Sequence, residues 1–256
     1  MQLIAENLTY GYPQREIGSG LSFSLGSGEA LCVLGPNGSG KTTLFRTLLG
    51  LLRAKQGRVL LDGKELGEWP RAELAQALAY VPQAHEGAFA YTVEEIVLMG
   101  RTAHVGLFAS PSMQDRDKAH AAIATLGLTH LTHSIYTRIS GGERQLTLIA
   151  RALAQGANLI VLDEPTASLD FGNRARVLEM LWRISRNGIG VVFSTHHPDE
   201  AFACAQRVMM LHDGRVVGTG EPGEVITESN LESLYGVPVE VVDLPGGRAC
   251  LPVIRR

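Results

Sequence analysis

No apolar run in this chain approaches the roughly 18 residues that a membrane-spanning helix needs, so any membrane role is expected to come through a partner. The opening residues, Met1-Gln2-Leu3-Ile4, also lack the charged and apolar regions of a signal peptide, which leads us to expect a cytosolic protein. Cysteine is scarce. Cys32, Cys204 and Cys250 lie far apart and fit neither a disulfide framework nor a C-x-x-C metal site, so a reducing compartment is expected. Charge of either sign is not in excess: 23 Lys and Arg stand against 26 Asp and Glu, and the net charge of -3 argues against a broad nucleic-acid surface. What remains is an ordinary globular composition, 45% hydrophobic and 19% charged, over 256 residues, enough for one large domain or a core with a subdomain.

The most informative stretch is Leu31 to Leu44. An apolar run, Leu31-Cys32-Val33-Leu34, gives way to Gly35-Pro36-Asn37-Gly38-Ser39-Gly40-Lys41-Thr42-Thr43, which fits G-x-x-x-x-G-K-[ST]. Glycines let the backbone curl so that successive N–H groups face a phosphate, and the helix starting near Lys41 turns its positive dipole end to the same place. Lys41 is expected to reach the β- and γ-phosphates, and the Thr42 hydroxyl to ligate Mg²⁺.

Ahead of this loop the chain reads as strands over 2–10, 21–25 and 30–34, with turns at Gly11, Gly18 to Gly20 and Gly26 to Gly28. Tyr12 either stacks on a nucleotide base or packs on its own sheet. After the loop, Leu44, Phe45, Leu48, Leu49 and Leu52 share a helix face. A strand over 58–62 enters an Asp-Gly turn, followed by a helix over 71–78 and a strand over 79–81. From Pro82 and Gln83 the texture changes to short helices, which marks an inserted subdomain. Thr92 and Ser112 open two of them, and Ser140-Gly141-Gly142-Glu143 opens a third, another helix N-terminus suited to an anion. His130 and His133 read as surface histidines. The run 158–162 is a buried strand ending at Asp163 and Glu164, placed to hold Mg²⁺ and to polarise a water. Asp170 caps a helix over 171–186 with Leu178, Leu181 and Trp182 inward. A further strand ends near His196, which either reaches a γ-phosphate or is a surface loop histidine. A hairpin over 207–217, a short helix near 230–234 and a terminal hairpin over 237–253 complete the chain.

With these residues in place, the sequence resembles the ATP-binding subunit of ABC transporters along essentially its whole length. Six motifs stand in the family's order: the phosphate loop at Gly35 to Thr43; the Q-loop glutamine Gln83; the signature Ile139-Ser140-Gly141-Gly142-Glu143; Walker B through Asp163 with Glu164 beside it; the D-loop Ser168-Leu169-Asp170; and the switch histidine His196. Ile139 and Glu143 depart from the usual leucine and glutamine but keep the character of the positions. The resemblance implies one α/β ATPase domain over 1–256, a P-loop NTPase (RecA-like) core with an N-terminal antiparallel β subdomain, an inserted α-helical subdomain over about 84–155, and a tail over 236–256. It further implies that Tyr12 stacks on adenine, that Thr42, Gln83 and Asp163 hold Mg²⁺, and that Lys41, Glu164 and His196 act on ATP.

The same resemblance implies a head-to-tail homodimer in which Ser140, Gly141, Gly142 and Glu143 face the partner's ATP. Expected partners are integral membrane permease subunits, docked through Ala84 to Ser110 with exposed positions near Glu86 to Tyr91, and an external solute-binding protein acting through them. Phe89, Tyr91 and Phe108 in that segment either line the partner groove or close the subdomain's own small core, and no nucleic acid is expected. The protein would then sit at the cytoplasmic face of the membrane. The phrases around 95–101 and 234–236 are similar to importers of iron-siderophore, haem, cobalamin and molybdate. A cytosolic ATPase of this family with soluble partners, as in iron–sulfur cluster assembly, is the alternative.

Overall fold

The computed structural model describes residues 1–83, 90–106, 109–167, 169–245 and 247–253. Strands β1 (Gln2–Tyr12) and β2 (Arg15–Gly26) form a long hairpin, followed by β3 (Ala30–Leu34), α1 (Lys41–Leu48), β4 (Gln56–Leu61) and β5 (Lys64–Glu65). Next come α2 (Arg71–Ala77) and β6 (Leu78–Val81), then α3 (Val93–Leu98), α4 (Met113–Thr125) and α5 (Gly141–Gln155). The alternation resumes with β7 (Leu159–Leu162), α6 (Phe171–Arg186), β8 (Gly190–Thr195), α7 (Pro198–Cys204), β9 (Arg207–His212) and β10 (Arg215–Gly220). Two helices, α8 (Pro222–Val225) and α9 (Glu228–Tyr235), lead to the hairpin β11 (Val239–Leu244) and β12 (Gly247–Pro252).

A six-stranded sheet in the order β10-β9-β3-β8-β7-β6 lies beside an antiparallel sheet in the order β2-β1-β4-β5. Only the edge strand β10 runs antiparallel in the larger sheet. All five residues of β3 are buried, as a central parallel strand covered on both faces requires. Its alternation divides the core. Ala30, Cys32 and Leu34 join the cluster under α4 to α7 and α9, whereas Leu31 and Val33 join the one shared with α1 and the antiparallel sheet. This is the α/β ATPase fold that the motif order implies, with the helices α3 to α5 between β6 and β7.

The expected turn at Gly18 to Gly20 is instead the interior of β2; the chain reverses at Pro13-Gln14, between the paired Tyr12 and Arg15. Gly18 serves clearance: a Cβ there would strike the Tyr10 ring and the carbonyl of Gly214. Leu52 lies past the end of α1, and Trp182, expected inward, is 48% exposed with Arg186 over its ring. The buried stripe of α6 is Val177, Leu181 and Ile184, and one residue beyond Leu181 the helix has turned by 100°. The Asp62-Gly63 and Asp213-Gly214 turns have positive φ at both central residues, as tight hairpins demand. Thr92, Ser112 and Ser140 all form complete capping boxes.

Candidate nucleotide site

The loop between β3 and α1 is held by two neighbouring segments and by one bond of its own. Gly35 N–H donates to the Thr195 carbonyl at 3.1 Å, Ser39 N–H to the Pro36 carbonyl at 3.3 Å, and Gly214 N–H to the Ser39 carbonyl at 3.1 Å. Lys41, 5% exposed, folds back over the loop and donates to the carbonyls of Gly35 at 2.8 Å and Pro36 at 3.0 Å. The Ser39 hydroxyl is buried with no hydrogen-bond partner among the described residues. Together with the N–H groups opening α1, this orphaned donor makes a cradle fitted to a phosphate.

Asp163 and Glu164 follow β7 directly. Asp163, 4% exposed, accepts a hydrogen bond from the Ser194 hydroxyl at 2.7 Å, and the same hydroxyl accepts from Glu164 N–H at 2.8 Å. Glu164 has φ 44°, a left-handed conformation that costs a non-glycine residue on the order of 1 kcal/mol. Its Oε1 lies 3.3 Å from Lys41 Nζ and its Oε2 3.5 Å from His196 Nδ1. Lys41, Asp163, Glu164 and His196 thus meet at the carboxyl ends of β3, β7 and β8, where open α/β sheets bind ligands. His197 packs its ring against His196 at 4.2 Å, and burial lowers its pKa.

The other expected residues lie around this centre. The Tyr12 hydroxyl accepts a hydrogen bond from Arg46 of α1 at 3.2 Å, which ties the exposed ring to the phosphate helix. Gln83 is exposed two residues past β6, the strand next to β7. At the start of α5, Ser140 N–H donates to Glu143 Oε2 at 2.8 Å, and Glu143 N–H to Ser140 Oγ at 3.3 Å. Bonding to Ser140 lowers the Glu143 pKa. Ser140 N–H and Glu143 N–H are therefore occupied within the capping box, and among the described residues no hydrogen bond is formed by the N–H groups of Gly141 and Gly142, at the helix N-terminus read as suited to an anion. Asp170 caps α6 by accepting from Asn173 N–H at 2.8 Å, and that bond heads the causes that lower its pKa. Among the described residues no hydrogen bond or ion pair joins Ser140 to Glu143 with the phosphate loop. Glu86, Phe89, Phe108 and the D-loop Ser168 lie outside the described residues.

Among the described residues no cluster of three or more His, Cys, Asp or Glu side chains is suited to a metal. A cation here would rest on hard oxygens: the Thr42 hydroxyl, the Asp163 carboxylate, the Gln83 amide, water and phosphate. That donor set fits Mg²⁺, which keeps several waters and is commonly held by one carboxylate and substrate phosphates. Ser194, Arg46 and Tyr235, whose hydroxyl donates to the His196 carbonyl at 2.9 Å, were assigned no role from the sequence. Two of them had a signal: Ser194 is a hydroxyl at the end of the strand that leads to His196, and Tyr235 lies in the 234–236 phrase similar to importers.

The fold and this constellation define a P-loop ATPase. The family model described as ABC transporter matches residues 19–167. The molybdate import ATP-binding protein MolC of Haemophilus influenzae is 39% identical over 93% of this chain and 89% of its own length. The hemin import ATP-binding protein HmuV of Nocardia farcinica is 38% identical over 98% and 87%, and the ferric enterobactin transport ATP-binding protein FepC of Escherichia coli is 33% identical over 95% and 90%. A solved structure of a metal-chelate type ABC transporter in an inward-facing conformation superposes with a TM-score of 0.87 at 36% identity, covering 98% of this chain and 97% of that one. The chain belongs to the ABC transporter family, as an ATP-binding subunit that hydrolyses ATP.

Proposed function

We propose that this subunit powers import of a metal chelate or a related solute, such as an oxyanion, through a separate membrane permease. One observation carries the reading: relatives named for hemin, ferric enterobactin and molybdate import align with nearly the whole chain. They favour an importer over an ATPase with soluble partners. Among the described residues no helix is long and apolar enough to cross a membrane, which accords with a permease on other chains.

In the mechanism, the loop amides and Lys41 bind the phosphates of ATP, while Tyr12 stacks on the adenine. Thr42, Asp163 and Gln83 would hold Mg²⁺, which neutralises charge on the β- and γ-phosphates. Glu164 accepts a proton from the attacking water, and His196 contacts the γ-phosphate. Gly141 and Gly142, whose N–H groups have no partner among the described residues, complete the site of a second copy, so two chains arranged head to tail enclose two nucleotides. The helices beyond Gln83 dock the permease at the cytoplasmic face, and an external solute-binding protein delivers cargo to it.

Reconstitution with a candidate permease tests this reading. The subunit should co-fractionate with membranes only when that permease is co-expressed, and liposomes holding the complex should take up metal chelate with ATP consumed. Full ATPase activity with no membrane association and no uptake would refute it.

A further inference from the structure

Behind the phosphate site lies a carboxylate with no part in the chemistry described so far. Glu200, in the first turn of α7, is 2% exposed. Its Oε2 accepts hydrogen bonds from Thr166 Oγ1 at 2.8 Å and from Thr195 Oγ1 at 2.6 Å. Its Oε1 faces the Nε of Arg174 at 3.5 Å. The Thr195 hydroxyl also accepts from His197 N–H at 3.0 Å, and Glu200 N–H donates to the His197 carbonyl at 3.2 Å. One buried group therefore bonds to two segments, the loop two residues past Glu164 and the strand end one residue before His196, and faces a third across an ion pair, the first turn of the helix that Asp170 caps.

Taking a carboxylate out of water costs several kcal/mol unless partners replace the lost solvation, and apolar residues of similar volume often fill such a place with no loss of stability. Stability is thus a poor reason for a carboxylate here, and geometry a better one. Ser194 already links Asp163 and Glu164 to β8 in front of the site. Glu200 is the second link, from behind, and it alone extends to α6. That extension is not fully closed: Arg174 Nε and Glu200 Oε1 face each other across 3.5 Å, both buried and neither hydrogen-bonded. A movement of α6 that closed the pair would act on the same carboxylate whose Oε2 holds Thr166 and Thr195.

We infer that Glu200 is a positioning residue for ATP hydrolysis, holding Glu164 and His196 in register with each other and tying both to the N-terminus of α6. The inference rests on the proposed roles of Glu164 and His196.

The test uses steady-state ATPase assays and nucleotide titrations of the full chain. Thr166→Val and Thr195→Val remove the hydroxyls at nearly constant volume. Each should lower kcat about tenfold, as sub-ångström misplacement of reacting groups does, with KM and Kd for ATP unchanged. Thr→Ser at the same positions keeps the hydroxyl and should recover most of the loss. Arg174→Gln alters a side chain 35% exposed and leaves the core packing alone; it should also lower kcat, and less than additively with the valine pair. Folded valine variants or Arg174→Gln with unmodified kcat would overturn the inference, as would losses of kcat and thermal stability in parallel that serine does not restore. Glu164→Gln, assayed alongside, separates the two levels. Retained turnover there removes the underlying site reading, whereas lost turnover there with normal valine variants removes only the role of Glu200.

Discussion

Lys41 and Glu164 form an ion pair beside the phosphate loop: the ammonium stands 3.3 Å from the carboxylate. In the proposed mechanism, the side chain that would bind phosphate is thus paired with the side chain that would activate water. A phosphate bound by Lys41 would then compete with Glu164 for it and free the carboxylate to orient a water, with His196 beside it at 3.5 Å.

Glu164→Gln removes both the base and the competitor. Turnover at saturating Mg-ATP should fall about a hundredfold or more. The same variant should bind ATP several-fold more tightly, because an amide holds Lys41 less strongly than a carboxylate. Steady-state rates and equilibrium titration measure the two effects separately.

Lys41→Ala and His196→Ala should fail in different ways. In the proposed site Lys41 would meet phosphate in the ground state, so its loss should raise Kd for ATP. His196→Ala should leave Kd near that of the unmodified chain and lower kcat. Titration with a non-hydrolysable ATP analogue distinguishes them.

A two-chain site predicts complementation. Lys41→Ala and Ser140→Arg chains, each inactive alone, should recover partial activity when mixed, because the heterodimer has one intact composite site and one doubly damaged site. Activity per chain should also rise with protein concentration. A monomer fully active at every dilution would rule this arrangement out.

The helices between β6 and β7 carry an acid-sensitive clamp. Arg101, 3% exposed, donates to Asp115 at 3.0 Å and to the carbonyl of Ala154 at 2.8 Å. Bonds from the Ser112 hydroxyl and N–H, and from Arg101, depress the Asp115 pKa from 3.8 to about 2. Stability from this group is fully present above pH 3.8 and is lost as the pH falls through about 2. The difference in urea midpoint between the unmodified chain and Asp115→Asn should therefore be largest at neutral pH and shrink across that acid window.

Motifs set by backbone chemistry were legible in the sequence. The glycine-rich loop, the apolar strand before Asp163 and the serine caps depend on residues within a few positions of one another. Contacts between distant segments were not. Ser194 bridging Asp163 and Glu164, Tyr235 bonding to the His196 carbonyl and Glu200 meeting Thr166 all arise from strand order, which local periodicity does not encode. Glycine misled where it serves close approach instead of chain reversal, as at Gly18. Trp182 misled because hydrophobic character alone does not place a residue on the buried stripe of α6.

Gly18 and Gly214 touch no nucleotide in the proposed site, yet they set where the phosphate loop stands. A side chain on either would collide with the other's backbone, and Gly214 also bonds directly to Ser39. The antiparallel sheet, the β9–β10 turn and the loop are therefore shimmed together with no tolerance for thickness. In a saturation-mutagenesis screen these two positions should score like ligand-contacting residues, and only a nucleotide affinity that recovers when the opposing segment is shortened would reveal them as spacers.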